Sequence, residues 1–340
     1  MADRKLSPSL VEVSFSLYYR GIEPWRCCLT DQPHIRGDQI TLSVIIPTLN
    51  ADDRIERLIA SLREQSLKPI EINVIDSSSD DDTVAIAQAA GCRVQVIERH
   101  LFNHGRARNM AAEEASGNVL VFLSQDALPK DETFLYEISR PIREGKAVAV
   151  TARQLAYPGA NPLEVYARTA NYPAKSHIRN LKDLESMGVM AYFFSNAASA
   201  IRKDIIEAIG GFREDVVVNE DMMLCARLLQ EGYAVAYQAE AEVYHSHDFN
   251  LWNQFGRYFD IGTFFDQAGG PINTQNPIRR GRVFAFGQIR YLIETGQWLW
   301  VPVSAFESLL KLFAFLLGKH GKRLPQSVKR NISGQKYFWD

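Results

Sequence analysis

Along the first half of the chain, continuous apolar runs alternate with segments in which apolar residues recur every three or four positions. β-Branched runs bounded by proline, glycine or acidic residues predict strands, and apolar residues at i, i+3, i+4 and i+7, as in residues 55–62, predict helices. We predict that Asn50 is the N-cap of the first helix. The predicted strands of this half lie at 41–47, 70–76, 93–98 and 119–123.

Strands separated by helices of this length pair in parallel through right-handed crossovers. We therefore expect an α/β fold with a doubly wound, mostly parallel sheet flanked by helices. A helix at 132–143 and a strand at 147–154 continue the alternation, which breaks at 155–190, a mixed segment predicted as a long loop over a site. A strand at 192–201 and a helix at 219–229 with an acidic first turn follow.

The most continuous apolar run, Val119–Leu123, predicts a central strand that is covered on both faces. It ends abruptly in Ser124, Gln125 and Asp126, and Pro129 prevents further strand pairing. Open α/β sheets bind ligands at the carboxyl ends of such strands. We expect Asp126 to hold a metal ion there, although a lone strand-end aspartate more often caps the next turn.

The chain divides into an irregular lead-in at 1–40, an α/β domain at 41–265 and a C-terminal helical region at 266–340. In the helical region, apolar and aromatic residues around Trp298 and Phe313 precede a basic segment. This pattern favours two interpretations equally. One is an interfacial helix on anionic lipid, and the other is a buried helix packed on the α/β domain or on a second subunit.

The composition is that of an ordinary globular protein, with 46% apolar and 23% charged residues. The net charge of −2 gives no support for nucleic-acid binding. The four cysteines lack metal-ligand spacing, which suits a reducing cytosol. We expect no signal peptide and no membrane-spanning helix, because neither the N-terminus nor any run of about 18 residues is sufficiently apolar.

Six motifs, taken in order, resemble those of inverting glycosyltransferases with the GT-A fold, of the family-two type. They are Val44–Asn50, Val74–Thr83, Asn103–Asn109, Phe122–Ala127, Gly210–Phe212 and Asn219–Asp221. The resemblance covers residues 41–265, and within the family the chain looks most like bacterial rhamnosyltransferases of O-antigen or capsule synthesis. The cues for this narrower resemblance are Phe102–Gly105, Ser124–Asp126, Tyr244–His247 and Phe255–Gly262.

The resemblance implies Mg²⁺ or Mn²⁺ on Asp126, where the ion neutralises the diphosphate leaving group. The family pattern here is Asp-x-Asp, and Ser124 stands in place of the first aspartate. His245 and His247 face the same way on an extended segment, so either could supply a second metal ligand. The alternatives for these histidines are a phosphate or acceptor contact, or packing in a loop.

The resemblance also implies a nucleotide-sugar site at the edge of the sheet. Asp76 would contact the base or ribose, with a helix N-cap or an Asx turn as the alternative. Arg108 matches the arginine of the family pattern His-Gly-x-x-Arg-Asn, and a solvated basic turn is the alternative for that segment. The residues predicted to bind the nucleotide sugar are Pro47, Thr48, Asn50, Asp76, Ser78, His104, Arg106, Arg108, Asn109 and Gln125.

An inverting transfer needs one carboxylate to deprotonate the acceptor hydroxyl. The resemblance gives this role to Asp221 and makes Glu220 its orienting neighbour. Without the resemblance, two acidic residues at a helix start are ordinary charge that the helix dipole stabilises.

We therefore expect a metal-dependent inverting glycosyltransferase. The best donor is dTDP-L-rhamnose, and the acceptor is a lipid-linked surface polysaccharide. The alternatives are a glucosyl-, galactosyl- or N-acetylhexosaminyltransferase, or a non-catalytic nucleotide-sugar-binding subunit. We expect a cytoplasmic protein that is peripheral on the inner face of the cytoplasmic membrane.

Overall fold

The computed structural model of the protein describes residues 39–246, 250–268, 272 and 277–339. Nearly all of the predicted lead-in, including Cys27 and Cys28, lies outside these residues, and Cys92 and Cys225 are free thiols. The strands are β1 (Leu42–Thr48), β2 (Glu71–Asp76), β3 (Arg93–Val96), β4 (Val119–Leu123), β5 (Leu128–Pro129), β6 (Ala149–Leu155), β7 (His177–Arg179), β8 (Ala198–Arg202) and β9 (Val235–Tyr244).

Helices alternate with these strands and then continue alone to the C-terminal end of the described residues. The α-helices are α1 (Asp53–Glu64), α2 (Thr83–Ala89), α3 (His104–Glu114), α4 (Phe134–Arg143), α5 (Pro162–Asn171), α6 (Leu184–Met187), α7 (Lys203–Ala208), α8 (Glu220–Gln230), α9 (Leu251–Gln267), α10 (Pro277–Glu294), α11 (Val301–Lys319) and α12 (Gln326–Ile332). Short 3-10 helices occupy Arg99–Leu101, Leu181–Asp183, Gly188–Tyr192, Trp298–Trp300, Gly321–Arg323 and Lys336–Trp339.

Across the described residues, nine strands form one sheet in the order β3-β2-β1-β4-β8-β6-β9-β5, and β7 pairs with β9. The pairs β1–β2, β1–β4 and β2–β3 are parallel, which confirms the arrangement predicted for the first half. β8 runs antiparallel to both β4 and β6, whereas β9 runs parallel to β6. The carboxyl ends of β1, β2 and β4 therefore meet at one edge of the sheet.

Helices cover both faces of this sheet, and all five residues of β4 are buried, as predicted for a central strand. Ile55 of α1 belongs to the same core cluster as Val121. Ala107 of α3 and Leu224 of α8 belong to the cluster that contains Phe122. Because successive strand residues point to opposite faces, β4 contributes to both cores. Burial of a side chain such as Phe122 stabilises the fold by about 2–3 kcal/mol.

The strand predicted at 192–201 starts later than expected. Residues Gly188–Tyr192 form a 3-10 helix, and β8 begins only at Ala198. Tyr192 and Phe194 are buried in the cluster that contains Phe122. Their apolar character therefore reflects packing against the core rather than pairing in the sheet, and the predicted boundary is wrong.

The prediction that Asn50 caps the first helix is also wrong, because α1 begins at Asp53. Asn50 has a left-handed φ of 50°, a conformation that asparagine tolerates better than most residues. Its side-chain oxygen accepts a hydrogen bond from the Asp80 N–H at 2.8 Å. Asn50 therefore joins the loop after β1 to the loop after β2.

α9 crosses the boundary predicted between residues 265 and 266 and packs closely on α11. A Cβ atom on Gly262 would lie 2.1 Å from the carbonyl oxygen of Phe315, and one on Gly318 would lie 2.0 Å from that of Phe259. The two helices can approach this closely only because these positions lack side chains. The C-terminal helices are thus packed directly on the end of the α/β domain.

α11 combines an apolar outer side with a charged pair on its inner side. Within the described ranges, Trp298–Lys319 is the one helix long and apolar enough to cross a membrane by length and composition, with a mean hydropathy of 1.6. Glu307 is buried and accepts a hydrogen bond from Lys311 at 2.9 Å. Lys311 also lies 5.7 Å from the ring of Tyr258 on α9. Lys311 and its partner Glu307 therefore lie on the side of α11 that packs toward α9.

Candidate active site

Asp126 and His245 meet at the carboxyl end of β4, although they are far apart in the chain. The short ladder of β5 and β9 pairs Leu128 with Tyr244 and so brings together the residues beside it. His245 Nε2 lies 3.4 Å from Asp126 Oδ1, and the Asp126 side chain is 25% exposed. The structure thus brings together two of the three predicted metal ligands, and metal binding by them stays a prediction.

Gln154 at the end of β6 sets the orientation of His245. His245 Nδ1 lies 2.7 Å from Gln154 Oε1, and Arg168 donates to the same oxygen at 2.6 Å. Arginine can only donate, so its contact identifies the Gln154 oxygen, and Gln154 Nε2 donates to the Ser195 hydroxyl at 2.9 Å. Because an amide oxygen only accepts, Nδ1 carries the proton of this hydrogen bond, and the contact directs Nε2 toward Asp126.

Asp126 and His245 fit a divalent cation. Two ligands that lie about 2.1 Å from an ion at right angles are about 3.0 Å apart, close to the observed separation. Within the described part of the chain no third His, Cys, Asp or Glu joins them, and His247 lies outside that part. Mg²⁺ commonly takes one or two protein ligands and completes its shell with phosphate oxygens and water. Two protein ligands would therefore be enough for such an ion, and metal binding here stays a prediction.

The end of β2 is an internally bonded turn. Asp76 is fully buried, and its carboxylate accepts hydrogen bonds from the Thr48 hydroxyl and the Ser79 N–H, both at 2.8 Å. Ser78 has a left-handed φ of 59°, and its hydroxyl donates to the Ile97 carbonyl at 2.8 Å. The bond to an N–H three residues on resembles a helix N-cap more than an Asx turn, and contact of Asp76 or Ser78 with a nucleotide stays a prediction.

Gln125 joins the end of β4 to the loop that follows β1. Its side-chain oxygen accepts from the Leu49 N–H at 2.7 Å, and its nitrogen donates to the Leu49 carbonyl at 3.1 Å. Pro47 and Thr48 are the last residues of β1. The residues predicted on the first strands therefore share one edge, where Gln125 supports the loop.

The motif at the start of α3 ties this helix to the loop before α8. Asn103 caps the helix by accepting from two first-turn N–H groups at 2.9 and 3.0 Å. Arg106 pairs with Glu214 at the surface, at 2.9 Å. Asn109 accepts from the Phe212 N–H at 2.8 Å and donates to its carbonyl at 2.9 Å. These groups are engaged within the protein, and their contact with phosphate stays a prediction.

Arg108 points inward and pairs with Glu220, the first residue of α8, at 2.8 Å. Arg108 also donates to the His104 carbonyl at 3.0 Å. Burial opposes ionisation of Glu220, but the charge of Arg108 outweighs it and holds the pKa of Glu220 below its ordinary value. Burial also lowers the pKa of His104. We call His104, Arg108 and Glu220 the helix-start network.

Asp221 adjoins this network and has a strongly perturbed carboxyl group. The Asn196 N–H donates to one carboxylate oxygen at 3.1 Å, and the Met222 N–H donates to the other at 2.7 Å. Burial, and next the negative charge of Glu220, raise the pKa of Asp221 to about 7. A carboxylate with this pKa is suited to accept a proton near neutral pH. The two predicted residues therefore differ in behaviour: Glu220 is an anion near neutral pH, whereas Asp221 gains and loses its proton there.

A small cleft beside Asp126 contains residues that the sequence did not single out. The Tyr157 hydroxyl donates to the Asp126 carbonyl at 3.3 Å. In the sequence, Arg54 and Arg57 look like ordinary solvated charges on a helix. Only the fold shows that they lie near Asp126. The cleft is lined by Arg54, Arg57, Leu58, Gln125, Asp126, Leu128 and Tyr157.

Sequence similarity to known proteins extends over most of this chain. Residues 43–210 match the family described as glycosyl transferase family 2. The chain is 35% identical over 312 residues to the O-antigen chain rhamnosyltransferase WbaN of Salmonella anatum, covering 88% of this chain and 96% of that protein. It is 34% identical over 311 residues to the O-antigen chain rhamnosyltransferase RfbN of Salmonella typhimurium, with the same two coverages of 88% and 96%.

Among solved structures, a similar fold occurs in the mannosyltransferase PcManGT from Pyrobaculum calidifontis in complex with GDP-Man and Mn²⁺. The TM-score is 0.59 at 18% identity, over 93% of this chain and 95% of that one. The expected GT-A fold is thereby confirmed. With a matching family and two relatives of such identity over nearly their whole length, the chain belongs to glycosyl transferase family 2 and is a glycosyltransferase.

Proposed function

We propose that the protein is a metal-dependent inverting rhamnosyltransferase of O-antigen synthesis, with dTDP-L-rhamnose as donor. The observation that carries this proposal is the 35% identity to an O-antigen chain rhamnosyltransferase along 96% of that protein. A match that covers 88% of this chain is longer than residues 1–265, so it includes part of the C-terminal helical region as well as the α/β domain.

Asp126 and His245 would hold the divalent cation at the end of β4. Such an ion, when bound, neutralises the negative charge that develops on the diphosphate leaving group. Gln154 keeps the His245 lone pair directed at the site through its 2.7 Å contact with Nδ1. Ser124 supplies no carboxylate, so more of the ion's shell falls to phosphate oxygens and water.

Asp221 would act as the general base. Its carboxylate takes the proton of the acceptor hydroxyl, and the acceptor oxygen attacks the anomeric carbon opposite the departing diphosphate, which inverts the configuration. Glu220 stays ionised because it is paired with Arg108 at 2.8 Å, so it does not compete for that proton. Its charge also keeps the proton affinity of Asp221 high.

The outer side of the C-terminal helices would rest on the membrane that carries a lipid-linked acceptor. Trp298 and Leu299 are 65% and 74% exposed, and Leu309 and Phe313 are 68% and 61% exposed. Exposed aromatic and aliphatic residues on one helix face are typical of interfacial attachment. Sedimentation with anionic vesicles tests this, and replacement of Leu309 and Phe313 by serine should weaken it; equal sedimentation would contradict it.

A donor panel tests the central part of the proposal. Purified protein with Mg²⁺ or Mn²⁺ and an undecaprenyl-linked saccharide acceptor is given dTDP-L-rhamnose, UDP-glucose, UDP-galactose and UDP-N-acetylglucosamine in parallel. We expect dTDP release from dTDP-L-rhamnose alone, and none in EDTA. Turnover of a UDP-sugar without turnover of dTDP-L-rhamnose would overturn the assignment of the donor.

A further inference from the structure

The last described residues, Ser333–Trp339, return from the end of α12 across α9 to the start of α3, and we call them the C-terminal strap. The Ser333 hydroxyl donates to one carboxylate oxygen of Asp260 at 2.6 Å, and the Gly334 N–H donates to the other at 2.9 Å. Asp260 lies on α9 and is fully buried. Both oxygens of this buried carboxylate therefore accept hydrogen bonds from the strap.

The strap also lies unusually close to the backbone of α9. A Cβ atom on Gly256, one helical turn before Asp260, would lie only 2.7 Å from the Ile332 carbonyl oxygen. Gly334 would similarly bring a Cβ atom to 3.3 Å from Asp260 Oδ2. Close backbone packing and two hydrogen bonds to one carboxylate define a specific attachment rather than a loose tail.

The far end of the strap places Tyr337 against the residues that begin α3. The Tyr337 ring lies edge-on to Phe102 at 5.2 Å and to His104 at 6.3 Å between centroids, and Phe102 lies 4.9 Å from His104. The His104 backbone amide is hydrogen-bonded to Tyr337, and the Gln335 side chain is hydrogen-bonded to the His104 imidazole. The strap thus contacts both the ring and the backbone of His104.

We propose that the C-terminal strap is a positioning element of the active site. The strap is anchored by its hydrogen bonds to Asp260, and it holds His104 against Arg108 and Glu220. It thereby excludes water from the helix-start network, which adjoins Asp221. The inference rests on the proposed role of Asp221 as general base. Tyr337 and Asp260 touch no reacting atom in this account; they act through His104, Arg108 and Glu220.

A titration of His104 by NMR tests the strap without any need for turnover. The groups that face His104 are Arg108 and Glu220 from α3 and α8, and Gln335 and Tyr337 from the strap; Tyr337 in turn interacts with Asp260. In Tyr337→Ala, water reaches the imidazole, so the pKa of His104 should rise toward its ordinary value. Tyr337→Phe keeps the ring and should restore the wild-type titration. Tyr136→Ala, which removes an exposed tyrosine on α4, is the matched control.

Asp260→Asn provides a second route that leaves every strap side chain in place. It should weaken the hydrogen bonds of Ser333 and Gly334 to residue 260 and raise the pKa of His104, as Tyr337→Ala should. Asp266→Asn is its control, because Asp266 lies on the same helix and pairs with Lys322 at 3.0 Å, away from the strap. A wild-type His104 titration in both Tyr337→Ala and Asp260→Asn would overturn the proposal.

Steady-state kinetics with the active donor completes the test. Misplacement of Glu220 should affect the chemical step, so Asp260→Asn and Tyr337→Ala should lower kcat about tenfold and leave the donor KM unchanged. Asp266→Asn should keep both values. Unchanged kcat in both strap variants, despite an altered His104 titration, would also contradict the proposal. Failure of the donor assignment alone would leave the NMR result intact, so the two failures are distinguishable.

Discussion

Asp126 and Asp221 are the same residue type, yet the protein places them in opposite surroundings. Asp126 lies at the end of a central strand with 25% of its side chain exposed, and its near neighbour is His245 Nε2 at 3.4 Å. Asp221 lies beside the buried ion pair of Arg108 and Glu220, and burial raises its pKa to about 7. The first setting admits a cation and its water, whereas the second retains a proton near neutral pH.

We propose that these two settings serve two kinds of carboxylate chemistry. A metal ligand is most useful where the site is open to phosphate oxygens and water. A general base is most useful where low polarity and a neighbouring anion bring its pKa to the working pH. The variants below test whether the two settings carry the two functions.

Asp221→Asn should have the largest effect, a fall in kcat of about a thousandfold, because it removes the only proposed proton acceptor. The donor KM should change little, since the base acts only in the chemical step. Rates with saturating donor and acceptor measure this. Asp215→Asn is a matched control, because Asp215 pairs with Arg213 at the surface, and it should keep wild-type rates. A wild-type kcat in Asp221→Asn would remove this residue from the mechanism.

Asp126→Asn should lower kcat/KM for the donor by about a hundredfold, because a neutral amide is a poor ligand for Mg²⁺ or Mn²⁺. Unlike the loss in Asp221→Asn, part of this loss should be recovered at high metal concentration. Activity measured across a manganese series distinguishes the two behaviours. Asp131→Asn alters an exposed turn carboxylate and serves as the control. An Asp126→Asn enzyme with the wild-type metal dependence would contradict the metal role.

Arg108 and Arg106 lie two residues apart on α3 and provide a matched pair for stability. Arg108→Ala leaves the buried Glu220 without its ion-pair partner and should reduce the free energy of unfolding by about 3–5 kcal/mol. Arg106→Ala breaks an exposed pair and should cost at most about 1 kcal/mol. Urea unfolding curves of both variants measure the difference. Equal and small losses would show that the helix-start network does not support α8.

The pH dependence should be opposite for activity and stability. Because Asp221 must be ionised to act, kcat should fall about tenfold per unit below pH 7. A carboxyl group with a raised pKa stabilises the fold while protonated, and this contribution is lost as the pH rises from about 4 through 7. Relative to wild type, Asp221→Asn should therefore gain roughly 1–4 kcal/mol of stability between pH 4 and 8. A constant difference across this range would contradict the raised pKa.

The parallel half of the fold was predictable because its signals are local. β-Branched runs and the spacing of residues such as Ile55 and Leu58 identify strands and helices without tertiary information. The approach of His245 to Asp126 was also predictable, because both follow strands whose ends meet at one edge. The contribution of Gln154 was not, since a polar residue near the end of a strand looks like ordinary alternation.

The helix-start network could not be predicted, because burial there depends on distant contacts. Arg106 and Arg108 belong to one basic motif, and only the position of α8 turns Arg108 inward to Glu220. The strap was invisible for a similar reason. Asp260 lies within an aromatic helix, and its partners Ser333 and Gly334 belong to a short segment without periodicity. Such pairings depend on packing between elements rather than on the pattern of any one.

Binding of Mn²⁺ in the presence of dTDP, followed by electron paramagnetic resonance, tests the division between Asp126 and Asp221 most directly. Wild type and Asp221→Asn should bind the ion with similar affinity, although the kcat of Asp221→Asn is expected to be about a thousandfold lower. Asp126→Asn should lose most of the bound ion, and His245→Gln should weaken its binding about 10–100-fold, as loss of a metal-site contact typically does. Loss of Mn²⁺ in Asp221→Asn, or full binding in Asp126→Asn, would contradict the separation of metal ligand and base.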